Sequence, residues 1–92
     1  MSEPLLRDHI GTAIRRHRKA RGFSLRDVEA RAGISIAHIS DAERGNKEIS
    51  SEYLAALLVA LDVSLSRLLM DASALALASE TPNREWMEVT LS

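Results

Sequence analysis

The sequence has no cysteine. That excludes a disulfide scaffold, a thiolate metal site and a cysteine nucleophile. Aromatic residues are nearly absent, with only Phe23, Tyr53 and Trp86. The core must therefore be aliphatic, built from Leu, Ile, Val and Ala, of which Leu and Ala favour helix. Long apolar runs are missing too. No stretch approaches the roughly 20 residues that span a bilayer, and nothing resembles a signal peptide. A soluble cytoplasmic protein with no membrane partner is expected. Residues 5–78 show no convincing strand pattern, no internal repeat and no low-complexity tract.

Catalytic and metal-binding constellations are also lacking. His9, His17 and His38 are the only histidines, and no two stand three or four residues apart. With no supporting cysteine or carboxylate cluster, no metal or other cofactor is expected. Ser24, His38 and Asp41 are triad residue types, but nothing supplies a cleft or an oxyanion hole, so an enzyme is not expected.

What is present bounds the architecture. The chain has 92 residues, of which 46% are hydrophobic and 27% charged. That composition suits a folded chain, and the length suits one core. The net charge of −1 argues mildly against nucleic acid when taken whole. The halves differ, however. Residues 1–50 carry ten Lys and Arg against seven Asp and Glu, and residues 51–92 carry two against six. A positive half and a negative half suggest one face for a polyanion and another end for something else.

The punctuation is regular. Gly22, Gly33 and Gly45 each follow a stretch of helical character, and glycine just past a helix end is a stop signal. Ser24 with Asp27 forms a capping-box variant; Ser35, Ser50 or Ser51, and Ser64 are placed to cap later segments. The apolar spacings agree. Leu6, Ile10 and Ile14 run at i, i+4, i+8, extended by His17. Val28 pairs with Ala32, and Ile39 with Ala42. Leu54, Leu57, Leu58 and Leu61 line a fourth segment. Leu65, Leu68, Leu69, Ala72, Leu75 and Ala76 line a fifth. These 3.6-period stripes predict helices at about 5–21, 24–32, 35–44, 51–61 and 65–78, packed around one core. Thr81-Pro82-Asn83 is a break. Beyond it, Met87, Val89 and Leu91 alternate with Glu88 and Thr90, which suits a short strand or a one-turn helix starting at Pro82. An isolated strand needs a partner, and a second copy of the chain is the expected source.

Two short segments, 24–32 and 35–44, are joined by Ala32-Gly33-Ile34-Ser35. Gly33 stands where a sharp inter-helix turn needs positive φ, and Ile34 and Ile39 are spaced to pin the second helix on the first. This is a helix-turn-helix arrangement, whose second helix enters the major groove.

Several pieces in order resemble the phage-repressor-like, Xre-type helix-turn-helix family over about residues 8–70. They are Ile14-Arg15, Arg18 and Gly22-Phe23-Ser24; Val28 and Ala32-Gly33-Ile34-Ser35; Ile39-Ser40 and Glu43-Arg44-Gly45; and Leu54, Leu57, Ala60-Leu61-Asp62-Val63-Ser64 and Leu68-Leu69. The stretch from Glu43 to Glu52 looks like the actinobacterial regulators of Clp protease genes. The resemblance implies an all-α, five-helix DNA-binding domain over 1–70, followed by a C-terminal dimerising extension over 71–92. It also implies that Arg18 pairs with Glu43 and ties the first helix to the third. Two positions depart from the family. Its usual Ala at the fifth motif position is Glu29 here, whose stem is expected along the surface with the carboxylate in water, unless the two helices sit slightly apart. The Gln that often begins the first motif helix and touches phosphate is Leu25, so that contact must pass to Ser24 or Arg26.

At 100° per residue, Ala37, Asp41 and Arg44 fall on one side of the third helix with His38 flanking, and Ile39, Ala42 and Glu43 fall opposite. The first side faces the groove. Ser35, Ile36, Ala37, His38 and Asp41 are the expected base readers, and Ser24, Arg26, Arg44, Asn46 and Lys47 the expected phosphate contacts. Ile36 and Ala37 suit a thymine methyl, His38 suits guanine N7 or a phosphate, and Asp41 can accept only from cytosine N4 or adenine N6. Arg15, Arg16, Arg18, Lys19 and Arg21 spread around the first helix, so they read as a partly solvated basic helix adding long-range attraction. Leu68, Ala72 and Leu75, with Trp86 and Val89 of the tail, form the expected dimer interface.

The expected function is sequence-specific binding of double-stranded DNA by a homodimer, regulating transcription from a palindromic operator. Such a protein blocks or recruits RNA polymerase by occupancy. With no room for a ligand-sensing domain in this length, its control is expected to come from abundance, from a protease or from another partner. The rival class is an antitoxin whose residues 71–92 bind a partner protein. A restriction-modification controller would share the fold and differ only in its target.

Overall fold

The computed structural model describes residues 4–80. They form five helices: α1 (Leu6–Ala20), α2 (Leu25–Ala32), α3 (Ile36–Arg44), α4 (Ser51–Leu61) and α5 (Leu65–Ser79). No strand occurs among the described residues. No single helix there is long and apolar enough to cross a membrane.

Local chemistry sets the helix ends. The first N–H groups of a helix have no partner within it, and a serine oxygen one position earlier accepts from one of them. Ser24, Ser35, Ser50 and Ser64 each do this, receiving the N–H of Asp27, His38, Tyr53 and Arg67 at 3.0–3.3 Å. Asp27 completes a capping box by accepting from the Ser24 N–H at 2.8 Å. At the other ends, Gly33 and Gly45 adopt the left-handed conformation at φ +70° and +67°. α4 ends differently, on Asp62 at φ +54°. An L-residue there costs energy that glycine avoids. Arg21 lies over this turn and donates to the Asp62 carbonyl at 3.0 Å.

α1 packs against α3 on one side and α5 on the other, while α2 bridges α3 and α4. The core is aliphatic: Ile14, Val28, Ile39, Leu57, Leu61 and Leu68 are fully buried. Phe23 packs at its edge. The Arg31 guanidinium lies 4.6 Å above the Phe23 ring and donates to the Ala60 carbonyl at the end of α4. His17 and Asp71 meet at 2.5 Å and tie α1 to α5.

Some sequence expectations change. Leu6, Leu65 and Leu69 are exposed, although the stripes placed them inside. Leu68 and Ala72, expected at a dimer interface, are 0% and 3% exposed within the chain's own core, with Leu75 packed against them. Leu68 and Ala72 therefore have almost no surface to offer a partner, while Leu75 is half-buried. α5 runs unbroken from Leu65 to Ser79, across the expected division at 70/71. Trp86, Val89 and the strand or one-turn helix expected beyond Pro82 lie outside the described residues.

Candidate nucleic-acid interface

α3 is held from three directions. Beneath it, the Arg18 Nε and Nη2 donate to the two Glu43 carboxylate oxygens at 2.6 and 3.0 Å, and Nη1 donates to the Phe23 carbonyl at 2.8 Å. The side chains are 11% and 6% exposed. This hydrogen-bonded pairing with Glu43 raises the Arg18 pKa further above its ordinary value, against the cost of burial. Behind it, Gly11 of α1 is buried where an added Cβ would stand 2.2 Å from the Ala42 carbonyl oxygen and 2.7 Å from that of Glu43. Only a residue with no side chain permits that approach.

The third hold is at the helix N-terminus. The Glu29 Oε2 accepts from the Ile36 backbone N–H at 3.0 Å. This replaces the expectation of a carboxylate in water, and α2 and α3 meet closely enough for the bond to form. An acid at this end satisfies an orphan donor and complements the helix dipole. Nothing in the sequence signals the bond, because it depends on how the two helices cross.

The outer side of α3 carries the expected readers. Ser35, Ala37 and His38 are exposed, and Ile36 and Asp41 are half-buried. Ile39 and Glu43 point inward, as the helical rotation requires. The His38 ring lies beside the Tyr53 ring of α4, with centroids 5.4 Å apart. Asp41 is not isolated. Its Oδ1 accepts from Arg44 Nη2 at 3.0 Å and its Oδ2 lies 3.6 Å from Lys47 Nζ. Partial burial pushes the Asp41 pKa up, but the Arg44 hydrogen bond, the Lys47 charge and the Asn46 side chain outweigh it and hold the carboxyl below its usual value. Three of the expected phosphate contacts, Arg44, Asn46 and Lys47, thus gather around one expected base reader. The loop carrying Asn46 and Lys47 is anchored from α1, where Arg7 Nε donates to the Gly45 carbonyl at 3.0 Å and Nη1 pairs with Glu48. Ser24 and Arg26 are both exposed at the start of α2.

Residues 14–68, more than half of the chain, match the family described as helix-turn-helix. The chain belongs to the Xre-type helix-turn-helix family. It therefore carries a helix-turn-helix DNA-binding domain of the kind found in transcriptional regulators. Among its relatives, the transcriptional regulator ClgR of Mycobacterium tuberculosis is 43% identical over 68 residues, covering 74% of this chain and 61% of ClgR. This chain thus spans less than two thirds of the length of that relative. Two structures of the clp gene regulator ClgR from Corynebacterium glutamicum match at TM-scores of 0.75 and 0.79. They are 40% and 38% identical, covering 78% and 84% of this chain and 94% and 82% of theirs. The restriction-modification controller protein C.Esp1396I, solved as a tetramer with its natural 35-base-pair operator, shares the fold at TM-score 0.75 and 20% identity, over 82% of this chain and 99% of that one. The family and the five-helix architecture read from the sequence both hold.

Three carboxyls should make the fold acid-sensitive. Asp27 is held below its usual value of 3.8 by the Ser24 backbone N–H, and Asp71 below the same value by His17. Asp41 behaves likewise. A depressed folded-state pKa contributes stability that is present above the unfolded value and lost as pH falls through the folded value. The melting temperature should therefore fall as pH drops below about 4, and Asp27→Asn should flatten part of that descent. An unchanged melting temperature down through that range would show that these contacts contribute nothing.

Proposed function

We propose that this protein is a sequence-specific regulator of transcription that binds double-stranded DNA as a homodimer on a palindromic operator. The observation that carries this reading is the state of α3. Its inner side is locked by Glu43, Ile39 and the Gly11 approach, while its outer side offers Ser35, Ile36, Ala37, His38 and Asp41 with cations gathered at one end. Rigid presentation of one helix side is what base reading requires. On this reading those five residues meet base edges, each good contact contributing about 1–3 kcal/mol of discrimination. Ser24, Arg26, Arg44, Asn46 and Lys47 meet the backbone. Asp41 accepts from a base amine through its remaining lone pairs while aiming Arg44 and Lys47 at flanking phosphates. The likeness to ClgR supports genes of the Clp protease as targets. RNA polymerase is the machinery that occupancy would block or recruit.

The dimer contact is assigned to the exposed side of α5. Leu65, Leu69, Met70 and Leu77 are exposed there, on a side that also holds Ser66 and Ser73 but no charge. Exposed apolar surface of this kind marks an interaction site. A two-fold dimer would set two α3 helices about 34 Å apart, on half-sites one helical turn apart. Leu69→Glu should monomerise the protein in sedimentation analysis and lower its affinity for a full palindrome without affecting its fold. A dimer of undiminished strength would move the interface elsewhere. The function as a whole is tested by selecting duplexes from a random pool. A recovered palindrome with half-sites one turn apart is the expected result, and retention without sequence preference would overturn it.

A further inference from the structure

α1, α2 and α3 enclose a polar cleft of about 230 Å³, lined by Arg15, Arg18, Leu25, Ser40, Glu43 and Arg44. Its floor is the Arg18–Glu43 pair, whose charges neutralise each other. One wall is Leu25, at the position where the family's phosphate-touching Gln would stand. The rims are Arg15 of α1 and Arg44 of α3, both exposed.

Most of the arginines are already engaged. Arg7, Arg18, Arg21, Arg44 and Arg67 each pair with an acid, and so does Lys47. Arg31 is bonded to a carbonyl and stacked on Phe23. Arg15 makes no hydrogen bond or ion pair among the described residues, and it alone of the unpaired cations lines this cleft. A guanidinium in that state keeps its full set of donors and breaks no existing bond to take an anion.

We propose that this cleft seats one backbone phosphate of the bound duplex, with Arg15 as its principal donor and Ser40 and Arg44 beside it. Arg15 thereby takes over the contact that Leu25 cannot make. The sequence assigned that contact to Ser24 or Arg26 because both neighbour Leu25 in the chain. Arg15 neighbours it only across the cleft. The inference rests on the DNA-binding reading above and adds a specific contact to it.

The test uses the full chain, a duplex it retains, and the variants Arg15→Gln and Arg16→Gln. Arg16 is also exposed but sits about 100° further round α1, so it reports the loss of one charge without the loss of the contact. Affinity is measured between about 50 and 200 mM salt, where each neutralised phosphate contributes about 0.9 to the slope of log K against log salt. Arg15→Gln should weaken binding about tenfold, the scale of one charged hydrogen bond, and make the slope shallower by about 0.9. Arg16→Gln should change affinity less than about twofold and leave the slope alone. Equal effects of the two variants would overturn the cleft, leaving Arg15 as long-range charge only. Failure of the unaltered protein to bind any duplex would instead overturn the DNA-binding function itself. Replacing single phosphates by neutral methylphosphonates gives a second check. One position should reproduce the loss in the unaltered protein and have no further effect on Arg15→Gln. Equal further weakening of both proteins at every position would also overturn the assignment.

Discussion

Glu43→Ala should lower the folding stability by about 3–5 kcal/mol, because it strands one partner of a buried ion pair. Arg18 would keep its position, 11% exposed, with two of its three hydrogen-bond acceptors gone. Moving the guanidinium back into water would require α1 and α3 to separate. A domain of this size has only about 5–15 kcal/mol in total. At about 4–8 °C per kcal/mol, the melting temperature should drop by something on the order of 20 °C. Replacing both partners together, as Arg18→Met with Glu43→Leu, should recover much of the loss, since a well-packed apolar pair is often as stable as the ion pair it replaces. Recovery will be incomplete, because the Phe23 carbonyl loses the donor it now has. The pair therefore acts mainly through position. It sets the angle at which α3 leaves the core, and so where its outer side meets a groove. Thermal melts of the two single variants and the double variant measure this. A Glu43→Ala protein melting within a few degrees of the unaltered one would remove the pair from the account.

Gly11→Ala should be the second large effect, and it comes from a residue with no chemistry of its own. The added methyl would meet the Ala42 and Glu43 carbonyl oxygens at 2.2 and 2.7 Å. Those atoms belong to the backbone of α3, so no side chain can rotate away to make room. Alanine recovers up to about 1 kcal/mol of helix propensity at such a position. Overpacking costs about 1–3 kcal/mol and more where backbone must move. The net expectation is a loss of about 2 kcal/mol, or a fall of about 8–16 °C in melting temperature. DNA affinity should fall with it, because relief of the clash displaces the last turn of α3, where Glu43 and Arg44 sit. Gly22→Ala is the control. An added Cβ at Gly22 meets nothing within 4 Å, but φ is +72°. It should cost about 1 kcal/mol through backbone strain alone and leave α3 in place. If Gly11→Ala were as stable as the unaltered chain, the close approach of α1 to α3 would not be a constraint on the fold.

The two sites differ in how far the sequence announces them. Arg18 and Glu43 stand out through resemblance to a known family, and the geometry supplies their bonds. Gly11 passes unnoticed, because a glycine inside a helical stripe looks like a mild defect until the opposing carbonyls are in place. Glu29 is similar. It departs from the family's usual Ala, and sequence reasoning sends its carboxylate to water. The crossing of α2 over α3 brings it to the Ile36 N–H instead.

α5 shows where periodicity stops being informative. Residues 72–79 contain no charge, so an apolar stripe can be drawn along nearly any side. Leu65 and Leu69 were as good candidates for the interior as Leu68 and Ala72. Packing on α1, fixed by the His17–Asp71 contact, turns Leu68 and Ala72 inward and leaves the other two outside.

The sequence by itself determined the number and order of the helices and the ends of α2 and α3, because caps and left-handed glycines act within four residues of chain. It also determined which side of α3 faces out, because Ile39 and Glu43 fall opposite Ala37 and Asp41 on any regular helix. Only the tertiary structure decided which apolar residues of α5 are interior, which cations are neutralised and which, among the described residues, stay unpaired beside the cleft. Those outcomes depend on contacts between residues 25 to 54 positions apart, such as Arg18 with Glu43 and His17 with Asp71. Contacts at that separation follow from how the helices cross, which no local pattern encodes.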